Sequence, residues 1–210
     1  MHIKTLAFAA LTAVAGFAAP ATATTVTPIF ADCDPNIANF GSDTGICSTN
    51  PARTDAGAIN LGAGDGNFYS LGLSTENDGF AELVLRISPA FTGPAMVVEV
   101  TNPSEHFEAA AVYVARADAN GMFDAVTTQL VGQVNNGRAY TEAAITSVNF
   151  SGTWDFLIFR DISRSVYADT RSTDGFDIDS ISIAAVPLPA GVLLMLSAIG
   201  GLAFLRRRSA

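Results

Sequence analysis

The chain has 210 residues, 20 Asp and Glu against 11 Lys and Arg, and 49% hydrophobic content. Setting aside an apolar segment at each end leaves about 160 residues, the size of one domain with its own core. Lys4, Arg206, Arg207 and Arg208 sit in those ends, so the middle sets seven arginines against all twenty acids, a surface that repels phosphate backbones and excludes nucleic-acid binding.

The N-terminus reads as an export signal. Met1-His2-Ile3-Lys4 is a short positive start, Leu6 to Phe17 is apolar, and Ala21-Thr22-Ala23 is the small-x-small pattern that signal peptidase accepts. Residues 1–23 are therefore expected to form a signal peptide helix, cleaved after Ala23, with Ala19-Pro20-Ala21 an earlier alternative. Cys33 and Cys47 follow, in a stretch rich in Asp, Asn, Gly and Pro, with no His or third Cys to complete a zinc set. In an oxidising compartment they pair, which closes a loop worth about 3 kcal/mol in the chain-entropy model.

Period-two alternation dominates the middle. In Ala81 to Ile87 the apolar residues Ala81, Leu83, Leu85 and Ile87 share one face, opposite Glu82 and Arg86. Similar runs at Phe68–Ser74, Ala95–Thr101, Ala109–Ala117, Ala144–Phe150, Trp154–Arg160 and Phe176–Ala185 are separated by Gly, Asn, Asp and Pro clusters. Glu105 to Arg116 is Ala-rich enough to be helical, but its second half reads as strand. Residues 24–185 are expected to be one extracytoplasmic all-β domain, an antiparallel β-sandwich that is jelly-roll-like or immunoglobulin-like.

No catalytic relay stands out. His106 is the lone histidine beyond the signal, in a turn-like Asn102-Pro103-Ser104-Glu105 context without a nucleophile motif, so the domain is expected not to be an enzyme; a secreted hydrolase remains only as an alternative using paired carboxylates. Asp118-Ala119-Asn120-Gly121 reads as a hairpin turn. Trp154, Tyr69, Tyr113 and Phe156 could stack on sugar rings, but core packing explains them more simply. The sharpest candidate site is acidic. Alternation puts Asp177 and Asp179 on the face of Ile181 and Ile183, and a carboxylate that points inward needs a partner. That partner is a structural Ca2+ shared with Asp65 of the Gly64-Asp65-Gly66 turn, an arginine such as Arg160 or Arg171, or water.

The C-terminus has three parts in order. Val186, Pro187, Leu188, Pro189 and Ala190 form a proline-led segment that stays extended, as a protease or transpeptidase requires of its substrate. Residues 191–205 are uncharged and span about 22 Å as a helix, a marginal single transmembrane anchor unless the residues back to Pro187 join it. Arg206, Arg207 and Arg208 stop transfer and leave the C-terminus in the cytoplasm. Together, residues 186–210 resemble the PEP-CTERM family of bacterial sorting signals in its VPLPA-CTERM variant. The stretch Leu61 to Gly72, with Phe107 to Val114 and Asp174 to Ile181, is also similar to ectodomains carried by such proteins, although Gly64 stands where a proline is usual.

The resemblance implies an inner-membrane precursor processed by an exosortase-type membrane enzyme and delivered to the envelope, surface or extracellular matrix, often beside exopolysaccharide. The function expected is that of a sorted, non-enzymatic surface protein; the alternative is a carbohydrate- or Ca2+-binding module displayed by the same route.

Overall fold

The computed structural model describes residues 24–37, 45–74, 81–100, 106–136 and 143–185. The expected signal peptide, sorting motif, transmembrane helix and arginine cluster lie outside these. Among the described residues no helix is long and apolar enough to cross a membrane.

Eleven strands are described: β1 Thr25–Ala31, β2 Gly45–Ile46, β3 Asn60–Leu61, β4 Tyr69–Ser70, β5 Leu73–Ser74, β6 Glu82–Val100, β7 Ala109–Ala115, β8 Gln129–Asn135, β9 Ala143–Val148, β10 Trp154–Asp161 and β11 Asp177–Ala185. One short helix, α1 Ser163–Val166, follows β10. The all-β expectation holds, but the strands read at residues 81–87 and 95–101 are a single 19-residue strand, β6.

β6 belongs to both layers. Its first half lies between β1 and β10, and β7 and β8 extend that sheet beyond β10. Its second half lies between β11 and β9, and β3 and β4 pair with β11. The change of neighbours falls at Ser88 to Pro94, where Ser88-Pro89 and Gly93-Pro94 are cis. Neither proline breaks a ladder, because the β10 register shifts between Phe91 and Arg86 and the β11 register shifts between Ala95 and Thr92; a residue without an N–H is tolerated where no ladder bond is due.

The main core sits between the layers. Leu83, Leu85 and Ile87 of β6 meet Val112 and Val114 of β7 and Leu157 and Phe159 of β10 from one side, and Val97, Ile178 and Ile181 from the other. The inward face read for Ala81 to Ile87 is correct, with all four apolar residues buried. The opposite face of the β6–β10–β7 sheet is covered too. Phe30, Val84, Ala115, Phe156 and Ile158 form a second cluster under Ile29, Tyr113, Ala117 and Phe123, with Phe123 edge-on to Phe156 at 5.4 Å between ring centroids.

The expected run Phe68–Ser74 is two short strands broken at Gly72, whose φ of 94° is a left-handed conformation that glycine adopts without strain. Cys33 and Cys47 form the expected disulfide.

Candidate functional site

Side-chain chemistry concentrates at one end of the sandwich, where β6 finishes, β7 and β11 begin and β10 ends. Glu99 comes from the last turn of the alternation in β6, where Ala95, Val97 and Glu99 all face inward. Glu108 precedes β7, Asp174 lies in the loop before β11, and Asp177 opens β11. All four are almost fully enclosed, at 1%, 3%, 4% and 5% exposure, an arrangement that needs protons or cations in place of water.

Arg53, from the turn of 3-10 helix at Pro51–Arg53, supplies one cation. Its Nη1 lies 2.8 Å from Asp174 Oδ2, and its guanidinium stacks on the Phe68 ring at 4.9 Å. Burial alone lowers the Arg53 pKa, but the bond to Asp174 and the fields of Asp177, Asp174 and Glu108 outweigh it and raise the value. Protons supply the rest. Burial, then repulsion by Asp177 and the contact with Glu99, push the Glu108 carboxyl well above its ordinary value, against a hydrogen bond from Ser172. Burial likewise pushes Asp177 up, against the hydrogen bond donated by the Ser70 hydroxyl and the field of Arg53. The cluster therefore retains protons at pH values where free carboxylates are ionised.

A pH dependence follows. The folded chain holds protons on Glu108 and Asp177 that the unfolded chain has released above about pH 4–5, so their contribution to stability is complete below that range and is lost as pH rises through the raised folded values. Glu108→Gln removes one such group. Relative to the parent, its melting temperature is expected to rise progressively between pH 5 and pH 9, each unit of lost pKa shift being worth about 1.4 kcal/mol. A pH-independent difference in melting curves would contradict the retained proton.

The other buried acids tie loops to strands. Asp161, at the end of β10, accepts from Ser74 N at 2.9 Å, Phe176 N at 3.2 Å and the Ser163 hydroxyl. Asp34 accepts from Asn36 N at 2.8 Å and Ala56 N at 2.9 Å, and Asp32 from Glu82 N at 2.7 Å. Beside them, Cys33 N donates to the Tyr69 hydroxyl at 3.1 Å, and Gly175 packs so closely on the Gly72 carbonyl that a Cβ there would overlap it.

Of the candidate cation ligands, the structure brings Asp65 and Asp179 together and takes Asp177 to Ser70. Asp179 is filled by backbone donors, its two oxygens accepting from Asp65 N at 3.0 Å and Gly66 N at 3.1 Å. The Asp65 carboxylate turns to Asn67 N at 2.9 Å, a bond that lowers its pKa. The three do not fit a shared Ca2+, and no group of three or more His, Cys, Asp or Glu among the described residues is arranged to hold a metal ion. The strict alternation behind that expectation fails at a bulge between Ile178 and Ser180, which returns Ile178 and Ile181 to the core and turns Asp179 to the Gly64–Gly66 loop. Arg160 meets Glu82 at 3.4 Å, and the arginine near Asp177 is Arg53, which sequence reading missed. Tyr69, Phe156 and Trp154 are buried and the half-buried Tyr113 ring is covered by Arg160 at 4.7 Å, so these four rings do not make an exposed platform. Asp118 closes the expected hairpin turn, accepting from Asn120 N and Met122 N, both at 2.8 Å.

No family model and no curated protein matches this chain. Among solved structures it is similar to the family 32 carbohydrate-binding module from Streptococcus pneumoniae EndoD, at 11% identity over 77% of this chain and 96% of that one, with a TM-score of 0.41. That likeness is too loose to argue from.

Proposed function

We propose that the chain is an exported, non-enzymatic envelope or matrix protein, made as an inner-membrane precursor with its C-terminus in the cytoplasm and released from its tail by an exosortase-type enzyme. The observation that carries this reading is the composite tail: a Val-Pro-Leu-Pro-Ala motif, an uncharged run and three arginines, in that order. Two further features support it. The Cys33–Cys47 disulfide suits an oxidising compartment, and Pro187 and Pro189 hold the motif out of a helix continuous with the apolar run. A surface rich in carboxylates suits display outside the cell beside polysaccharide.

Replacing Pro187 and Pro189 together by Ala tests the reading, because it frees the segment to turn helical and join the apolar run. In the producing bacterium the variant is expected to accumulate at full precursor mass in the inner membrane. Release at the same rate and mass as the parent would overturn the proposal.

A further inference from the structure

A sheet edge presents unpaired backbone groups, and a lasting edge is guarded by charge, proline, a bulge or brevity. Most edges among the described strands are guarded in this way. β1 carries Pro28 and a register shift beside it, β8 carries Gly132 next to the Val112–Tyr113 shift, and β3 and β4 are two residues long. β9 has no such device. Ala143–Val148 keeps a six-pair register with the second half of β6 without a shift, pairs with no other described strand, and contains no charge, proline or glycine. From the other layer β8 meets it through side chains: Thr146 Oγ1 donates to the Asn135 carbonyl at 2.9 Å, and Val148 packs so closely over Gly132 that a Cβ there would overlap it.

The outward face behind this edge is apolar. Ala95, Val97 and Glu99 turn inward, which leaves Met96, Val98 and Val100 on the outside of β6; Ile145 of β9, opposite Val98, is 68% exposed and Met96 is 42% exposed. An antiparallel sheet with one solvated face ordinarily turns polar residues outward, and the other sheet covers its outer face with the cluster around Phe30 and Phe156. The occupant that fits β9 is a second copy of this chain. A strand paired antiparallel with itself about a two-fold axis is self-complementary, and with the axis at Ile145 it sets that side chain beside its counterpart and continues the Val98–Ile145 row across the seam. Electrostatics select the same side. Copies of an acidic chain repel one another least where neither carries charge, and residues 125–136 and 143–154, which contain β8 and β9, are uncharged. A partner recognised by its charge would find no counter-charge there.

We infer that β9 is a self-association edge, through which two copies of the chain join their sheets antiparallel into one continuous sheet. The pairing is independent of how the tail is processed, so its failure leaves the sorting reading standing. The test co-expresses the full chain in two forms with different epitope tags, each carrying a photoreactive benzoylphenylalanine at Ser147, which is exposed on β9, or, in a separate sample, at Val126, which is 94% exposed at the β7–β8 connection. Irradiation is expected to give an adduct of twice the chain mass bearing both tags from Ser147 and only background from Val126. Ile145→Lys puts like charges across the seam and is expected to lower the Ser147 adduct by about tenfold, with the Cys33–Cys47 bridge intact. Equal two-tag adducts from both positions, adducts from Ser147 to other proteins or lipid alone, no adduct from Ser147, or an adduct that persists in a folded Ile145→Lys chain overturns the inference. Comparing the two probe positions needs no charged variant, so the outcome is decided even if Ile145→Lys fails to fold.

Discussion

Asp161→Ala is expected to lower the melting temperature by about 10 °C, from a loss on the order of 4 kcal/mol. The carboxylate is wholly enclosed and joins three segments: the end of β5 through Ser74 N, the start of α1 through the Ser163 hydroxyl, and the loop into β11 through Phe176 N. Removing it leaves these donors buried without their acceptor, which costs far more than the bonds themselves contribute. Asp161→Asn keeps one oxygen but turns an amide NH2 toward a site built of donors, so it is expected to recover less than half of the loss. Calorimetry on both variants checks the order, and an Ala variant melting within a degree or two of the parent would show that the three segments hold their positions without the carboxylate.

Exchanging Cys33 and Cys47 together for Ser is expected to cost about 3 kcal/mol, the entropy of a loop of this length freed in the unfolded chain. The local effect is directed at the acidic end. Cys33 lies beside Gly72 and donates its N–H to Tyr69, whose hydroxyl burial holds well above its ordinary pKa. Adding a reductant should lower the melting temperature of the parent to that of the double variant and leave the variant unchanged. If reduction has no effect on the parent, the bridge constrains nothing that the core does not already fix.

Alternation revealed those strands whose two faces meet different surroundings. Leu83, Leu85 and Ile87 could be assigned inward from the sequence, as could the strand at Ala111 to Ala115. β1 was missed because Thr25–Ala31 carries Pro28 and meets β6 through a register shift at that point, and β8 because Gly132 interrupts it beside the Val112–Tyr113 shift. Pro89 and Pro94 fall in the gap between the runs at Ala81–Ile87 and Ala95–Thr101, where proline usually ends a strand, although they lie in a strand that is changing partners. The disulfide was legible from its spacing and setting. The acidic cluster was not: Arg53, Glu99, Glu108, Asp174 and Asp177 are scattered over more than half of the chain, and only Asp177 drew notice. A usable signal was present at Glu99, a lone acid in phase with Ala95 and Val97.

Because β6 runs through both sheets, neither layer is an independent unit. Opening one sheet tears the central strand of the other, so the slowest-exchanging amides of both halves of β6, with those of β10 and β11 paired to it, should share one protection factor set by global unfolding. A domain organised in this way offers no partly open form in which one face of its core is bared while the other stays closed.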